Sequence, residues 1–455
     1  MKPRYKLYPA QEKQKKNLLY SLKTYGCALD ASSPGAGKTY IACAVARELG
    51  FQPLIVTTKA TIPSWQRTAE GFELDPVAVV NYESIRTGKS EFCTKYQREA
   101  YSRRMTSFFW NLPPGSMLIF DEVQKCRRHS SVNAQLLLAA ARQQVPTLMC
   151  SATAFVTPMD CCAIGAALGL FRDGWFWTWA SQHGCSKGKF GWQFHGTEAD
   201  LRCIHAAIFP EKGSRLSLAD IPEFPETRIE ARPVETGKAK EIQAIYTRMR
   251  RELQAAANTE DREKLAELAE AMKAKKANQM TISLRARAAV ELCKVDAIAE
   301  LAEDAAAQGE SVAIFVNFTE TIDALRARLD CNAVIHGAQT PAERQQVVDD
   351  FQANRKPIVI CNIAAGGVGI SLHDPTGQKP RLALISPTFS AIDLTQALGR
   401  VHRAGGARSR QIIVFADGTC ENRTCEKVAE KCSNIALLND GDLAPTFLHD
   451  KTHEH

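Results

Sequence analysis

The chain has 455 residues, 45% of them hydrophobic and 24% charged, and a formal net charge of +7. That length supports about three units of ordinary domain size, each able to bury a core, and the composition excludes fibrous and disordered classes. The charge is mildly basic, which permits a nucleic-acid partner without demanding one. No apolar run reaches the ~18 residues of a membrane span, and Met1-Lys2-Pro3-Arg4 lacks the apolar segment of a secretory signal. An intracellular protein, cytoplasmic or in the nucleoid or nucleus, is expected. The fifteen cysteines contain no C-x-x-C spacing and read as reduced, mostly apolar fillers. The loose cluster Cys420, Cys425 and Cys432 has the wrong spacing for zinc.

In chain order, the first chemical signal is Ser33-Pro34-Gly35-Ala36-Gly37-Lys38-Thr39. A strand, Ala28–Ala31, precedes it, and a helix, Tyr40–Leu49, follows and stops at Gly50. A triphosphate is held by backbone N–H groups at a helix N-terminus, where the donors and the helix dipole both face the phosphates. Gly35 and Gly37 let the backbone approach, Lys38 supplies charge to the β- and γ-phosphates, and the Thr39 hydroxyl is placed for Mg²⁺. The usual first glycine of this loop is Ser32 here.

Short apolar runs then alternate with helical patterns: Leu54–Thr58, Val77–Tyr82, Met117–Phe120 and Thr147–Cys150. Continuous apolar strands between helices predict a parallel sheet covered on both faces. Asp121-Glu122 closes the third run. An acidic pair at the end of a buried strand suits Asp121 to hold the metal through water and Glu122 to polarise the hydrolytic water. Ser151-Ala152-Thr153 follows the fourth run.

The middle of the chain differs. Gly174 to Phe194 carries Trp175, Trp177, Trp179 and Trp192 with Lys187 and Lys189, and Thr236 to Leu292 is a mixed-charge helical pattern. Both read as core aromatics and a solvated helix face before they read as nucleic-acid surfaces. A second strand and helix alternation follows: Val312–Phe318, Ala333–His336, Ile358–Asn362, Leu382–Ser386 and Gln411–Ala416. The expected organisation is an α/β domain at 1–165, a Trp-rich and helical segment at 166–292, and a second α/β domain at 293–455. Near the end, Gln396-Ala397-Leu398-Gly399-Arg400-Val401-His402-Arg403 reads as a helix with Arg400 and Arg403 on one face, placed to neutralise charge on a transferring phosphoryl group.

With Lys38, Asp121-Glu122, Ser151-Ala152-Thr153 and Arg400/Arg403 in this order, the chain resembles superfamily II helicases and translocases over nearly its whole length. It looks most like the Swi/Snf-type branch, near the annealing helicases. Tyr8-Pro9-Ala10-Gln11 resembles the glutamine motif, and Ile55-Val56-Thr57-Thr58-Lys59 followed by Trp65 resembles motif Ia. Asn81-Tyr82-Glu83 resembles motif Ib, and Gly191-Trp192-Gln193-Phe194 resembles a segment between the motor halves. His336-Gly337 with Arg344 and Phe351 precedes Ala364-Ala365-Gly366-Gly367-Val368-Gly369, which resembles motif V.

The resemblance implies two RecA-like domains with ATP and Mg²⁺ between them. DNA would lie across both, with RNA as the alternative track, and an ATP-gated clamp without processive motion is the reading from another class. It assigns Ser33, Pro34, Gly35, Ala36, Gly37, Lys38, Thr39 and Gly369 to the nucleotide, and Gln11 to adenine. Thr39 and Asp121 would serve the metal, and Gln124 would bridge the γ-phosphate and Gln396. Nucleic-acid contacts carry over to Lys59, Tyr82, Asn317, His336 and Gly366. Three features depart from the branch: Gln124 where it has histidine, Ser-Ala-Thr at motif III, and Gly406 where a glutamine often stands. The short chain leaves no room for chromatin-reading modules, so a compact viral, phage or bacterial motor is expected.

Overall fold

The structure is a computed structural model that describes residues 5–100, 103–127, 131–172, 174–188, 191–221, 224–225, 227–258, 280–366, 370–388, 390–403, 406–417 and 419–440. Gly367, Val368 and Gly369, Lys189 and the tail from Gly441 lie outside the described residues, as does 259–279 of the helical stretch. The chain divides into two compact units, Met1–Phe224 with Glu430–Thr446, and Pro225–Ala429 with Phe447–His455.

Among the described residues of unit 1, ten strands fall in chain order: β1 (Cys27–Asp30), β2 (Gln52–Thr57), β3 (Ala78–Asn81), β4 (Cys93–Ala100), β5 (Arg103–Trp110), β6 (Ser116–Asp121), β7 (Thr147–Cys150), β8 (Cys185–Gly188), β9 (Gly191–Phe194) and β10 (Gly213–Ser214). Six of them form one parallel sheet, β10-β1-β7-β6-β2-β3, and the other four form two antiparallel hairpins, β4–β5 and β8–β9. Both faces of the sheet are covered, so its strands are apolar at consecutive positions. Leu54, Val56, Leu118 and Phe120 enter one core. Their neighbours Ile55, Met117 and Ile119 enter the other, against Ile41 and Val45 of helix Lys38–Leu49.

Unit 2 repeats the plan with β11 (Thr227–Val234), β12 (Ser311–Val316), β13 (Val334–Ile335), β14 (Ile358–Asn362), β15 (Arg381–Ile385) and β16 (Ser409–Ala416). All six are parallel in the order β11-β16-β15-β12-β14-β13. Helices Val295–Ala307 and Thr319–Leu329 cover Val312, Ile314, Leu382 and Leu384 on one face.

The stretch 166–292 divides between the units. Phe176 and Trp179 are buried in the unit 1 core with Leu201 and Ile204, and β10 joins the unit 1 sheet beside β1. Beyond Pro225, β11 joins the unit 2 sheet beside β16, and helix Ala239–Asn258 places Ile242 and Tyr246 against Val290 and Cys293. The reason is edge pairing: β10 and β11 each satisfy backbone groups on an existing sheet edge and so belong to that sheet. Among the described residues, no helix is long and apolar enough to cross a membrane.

Candidate nucleotide and nucleic-acid sites

In a parallel α/β sheet the loops at the C-terminal strand ends form the functional edge. Here the register aligns three of those ends. Asp30 of β1 and Asp121 of β6 both stand opposite Cys150 of β7. The phosphate-binding loop leaves β1, the acidic pair closes β6, and Ser151 follows β7, so one edge collects all three.

The loop itself turns through Gly35 (φ 86°) and Gly37 (φ 89°), both left-handed. Gly37 is also the N-cap of the helix, which starts at Lys38, two residues earlier than the sequence predicts. A side chain at Gly37 would meet Gln11 Nε2, so glycine is required twice over there, by conformation and by space. The Gln11 amide donates from Nε2 to Ala36 O at 2.9 Å and accepts from Tyr8 N at 3.0 Å. It therefore braces the loop's backbone. Lys38 Nζ donates to Ser32 O at 2.7 Å and Ser33 O at 3.1 Å, inside the loop's curve. Two left-handed glycines, a twelve-residue helix behind them and a lysine folded into the curve fit a triphosphate.

Beneath the loop lies a polar network that the sequence reading did not foresee. Asp30 is fully buried. Its Oδ1 accepts from Gln14 Nε2 and Ser32 N, each at 3.0 Å, and from the Ser32 hydroxyl. Ser32 Oγ in turn accepts from Gln14 Nε2 at 2.9 Å and Leu216 N at 3.1 Å. Ser214 Oγ donates to Gln14 Oε1 at 2.6 Å, and an Arg215 Nη1 donates to Ala31 O at 2.7 Å. Ser32 thus replaces the usual glycine because its hydroxyl joins the loop to helix Pro9–Tyr25 and to residues 214–216. Burial pushes the Asp30 carboxyl up, opposed by the Lys38 charge. Burial likewise lowers the Lys38 ammonium, opposed first by Asp30 and then by Glu122. The one available signal was an aspartate at the end of an otherwise apolar strand; Ser214 and Arg215, which complete the network through Gln14 and Ala31, are far away in sequence.

Asp121 is oriented on every side. Its Oδ2 accepts from Thr57 Oγ1 at 2.7 Å and Trp65 Nε1 at 2.8 Å, and its Oδ1 accepts from Glu122 N at 3.0 Å. Burial, then the neighbouring Glu122, raises its pKa to about 6. Glu122 sits at φ 51°, left-handed for a side-chain residue, a strained placement of the kind found at working sites. Gln124 follows in a short 3-10 turn and donates from Nε2 to Glu122 Oε2. Thr39 stands in the first turn of the loop's helix. Ser151 Oγ accepts from Thr153 N at 2.9 Å, closing motif III on itself.

The residues assigned to nucleic acid fall on the same sheet edges, with one correction. Lys59 is exposed just beyond β2. Tyr82, just beyond β3, is fully buried, and its hydroxyl donates to Asp121 O at 2.7 Å. Its ring packs at 6.3 Å from Phe120, so it supports the acidic pair from the core and presents no surface to a nucleic acid. In unit 2, Asn317 follows β12, His336 follows β13, and Gly366 closes the short helix Ile363–Gly366 after β14. Those strands are neighbours in the sheet, so the three come together at one edge. Asn317 N and Nδ2 and Phe318 N all donate to the Glu291 carboxylate. His336 O accepts from an Arg344 Nη2 at 3.2 Å.

A second correction concerns Arg400 and Arg403. Helix Ala391–Leu398 ends at its C-cap Gly399, so neither arginine lies on a helix face. The chain turns instead: Arg400 N donates to Ala397 O, and Arg400 O accepts from Leu372 N at 2.8 Å. The buried Arg400 guanidinium donates to Ile370 O at 3.0 Å. Glycine, a poor helix former, and the tertiary bonds to 370–372 together override the helical pattern. Gln396 is buried within the helix, and His402 Nε2 pairs with Pro225 O at 2.6 Å.

Two parallel α/β domains, the first with a phosphate loop and an acidic pair on one sheet edge, define a P-loop nucleoside triphosphatase of the two-domain motor type. The helicase conserved C-terminal domain family matches residues 293–405. A protein of Acanthamoeba polyphaga mimivirus named as an ATP-dependent RNA helicase is 31% identical over 469 residues, covering 96% of this chain and 84% of that protein. The chain belongs to the superfamily II helicases. Helicase SWR1 of Yarrowia lipolytica is 27% identical over 164 residues, 34% of this chain and 9% of its own length. Among solved structures, S. cerevisiae Dbp5 bound to RNA and ADP BeF3 has a TM-score of 0.50 at 12% identity, covering 94% of this chain and 88% of that one, a likeness of fold.

Proposed function

We propose that this chain is a nucleic-acid-stimulated ATPase that translocates along DNA and remodels, unwinds or anneals it. The observation that carries the ATPase reading is the sheet register that sets the loop of Lys38 and the Asp121-Glu122 pair on one edge. Lys38 and the loop amides would hold the phosphates, and the Thr39 hydroxyl and Asp121 would hold Mg²⁺. When bound, the metal supplies charge neutralisation at the phosphates. Glu122 takes the proton of the attacking water, and the Gln124 amide orients its carboxylate. Arg403 acts on the transferring phosphoryl group.

The resemblance of the glutamine motif and of the motif Ia segment followed by Trp65 to the Swi/Snf branch supports DNA as the track. RNA is the second reading, favoured by the name of the viral relative. ATP turnover measured with duplex DNA, single-stranded DNA, forks, bubbles and RNA separates them. Stimulation by RNA alone overturns the DNA assignment. Lys38→Ala is expected to abolish turnover while nucleic-acid binding largely remains, and turnover at the wild-type rate in that variant sinks the ATPase reading itself.

A further inference from the structure

We propose that the hairpin β4–β5 is a base-stacking platform for a single strand of nucleic acid, an inference that rests on the reading above that the chain moves on nucleic acid. The hairpin stands outside the six-stranded sheet and pairs from Cys93↔Trp110 to Ala100↔Arg103. Eight residues per strand give it a reach of roughly 25 Å. Strand alternation gives it two unlike faces. Cys93, Phe108 and Trp110 are buried in the unit 1 core. Thr94, Tyr96 and Phe109 face solvent, and the two rings are 50% and 48% exposed.

The exposed rings are placed as a pair. Thr94 stands opposite Phe109, and Tyr96 opposite Ser107, so Tyr96 and Phe109 are diagonal neighbours on one face, about 7–8 Å apart. That spacing suits successive unstacked bases of one strand. Aromatic rings on exposed strands beside basic residues are how proteins hold single strands, since every base has a π-face. In sequence the stretch is basic overall, with five lysines and arginines against two glutamates over residues 89–104.

The base of the hairpin is tied to the core by hydrogen bonds. Trp110 N donates to Gln143 Oε1 at 2.7 Å, Gln143 Nε2 donates to Trp110 O at 3.0 Å, and Trp110 Nε1 donates to Leu136 O at 3.0 Å. The chain enters the hairpin from the turn after the short helix Tyr82–Arg86 and leaves it into β6, whose last residue is Asp121. The hairpin is therefore joined directly through the chain to the strand that ends in the acidic pair.

The test compares the full chain with Tyr96→Ala/Phe109→Ala and with Tyr96→Phe, by fluorescence anisotropy on 20-mer single-stranded DNA and RNA and on duplex. Both positions are exposed, so ATP turnover without nucleic acid should be unchanged, which also reports folding. The double variant is expected to bind single strands about 10- to 100-fold more weakly, with a smaller loss on duplex, while Tyr96→Phe stays within about twofold because the ring remains. Wild-type affinity in the double variant, with wild-type binding and stimulation intact, overturns the platform alone. So does a change in sedimentation without a change in affinity, which would make the face a contact between copies. A wild-type chain that binds neither nucleic acid overturns both the platform and the motor reading.

Discussion

Ser32 is tied to Asp30 by both its amide and its hydroxyl, and that double bond anchors the phosphate loop to the strand it leaves. The same hydroxyl receives Gln14 Nε2 and Leu216 N, so one oxygen joins three segments distant in sequence. The departure from the usual glycine is therefore a structural gain.

Restoring the glycine should harm the protein. Ser32→Gly removes the acceptor of Leu216 N and one of the two acceptors of Gln14 Nε2, and deprives buried Asp30 of a donor. Each buried group left unpaired costs about 1–3 kcal/mol. Urea denaturation is expected to show a destabilisation of about that size, and a Ser32→Gly chain as stable as wild type removes the role assigned to the hydroxyl.

Trp65→Phe keeps most of the buried ring and deletes the Nε1 donor to Asp121 Oδ2. Losing an outer partner of a metal-binding carboxylate typically costs 10–100-fold in metal affinity or activity. A drop of about that size in kcat, or a matching rise in the Mg²⁺ needed for half-maximal turnover, is expected with little change in thermal midpoint. Unchanged Mg²⁺ dependence and unchanged kcat would show that Thr57 and the Glu122 amide suffice.

Arg403→Ala should leave nucleotide binding near wild type and slow hydrolysis by roughly 10³–10⁵-fold, the range for a residue that meets charge only in the transition state. Equilibrium binding of a fluorescent nucleotide and steady-state turnover measure the two separately. Affinity and rate falling together would make Arg403 a ground-state ligand.

His373 gives a pH signature. It is partly buried, pairs with Ser371 Oγ at 2.7 Å, and has its pKa lowered to about 4 by burial, then by Arg403 and Arg381, against Asp374. The unfolded chain binds this proton near the ordinary value of ~6.5, so it is the more protonated state between those limits. Stability from this group is complete above about 6.5 and is lost as pH falls toward about 4. Burial lowers the His402 pKa as well, so it adds to the slope with the same sign. His373→Gln should reduce the pH dependence of the denaturation midpoint between those values, leaving the part due to His402, and an identical slope in the variant would exclude a contribution from His373.

Local sequence by itself determined the strands and the chemistry at their ends. Thr147–Cys150 and Ile358–Asn362 stand where their apolar runs predict them, because a doubly covered parallel strand must be apolar at consecutive positions. Gly35, Gly37 and Lys38 were legible because a phosphate loop leaves little freedom at those positions. Tertiary structure decided what each polar group faces. Tyr82 turned inward to Asp121, Arg400 turned off its helix to Ile370 O, and Ser32 found Asp30 and Leu216. It also decided the fate of 166–292, whose two edge strands joined separate sheets, and it made a hairpin of 93–110, where no strand was expected. The physical reason is common to all of these. Periodicity records burial along one element, whereas hydrogen-bond partners and sheet edges come from segments up to about two hundred residues away and leave no local pattern.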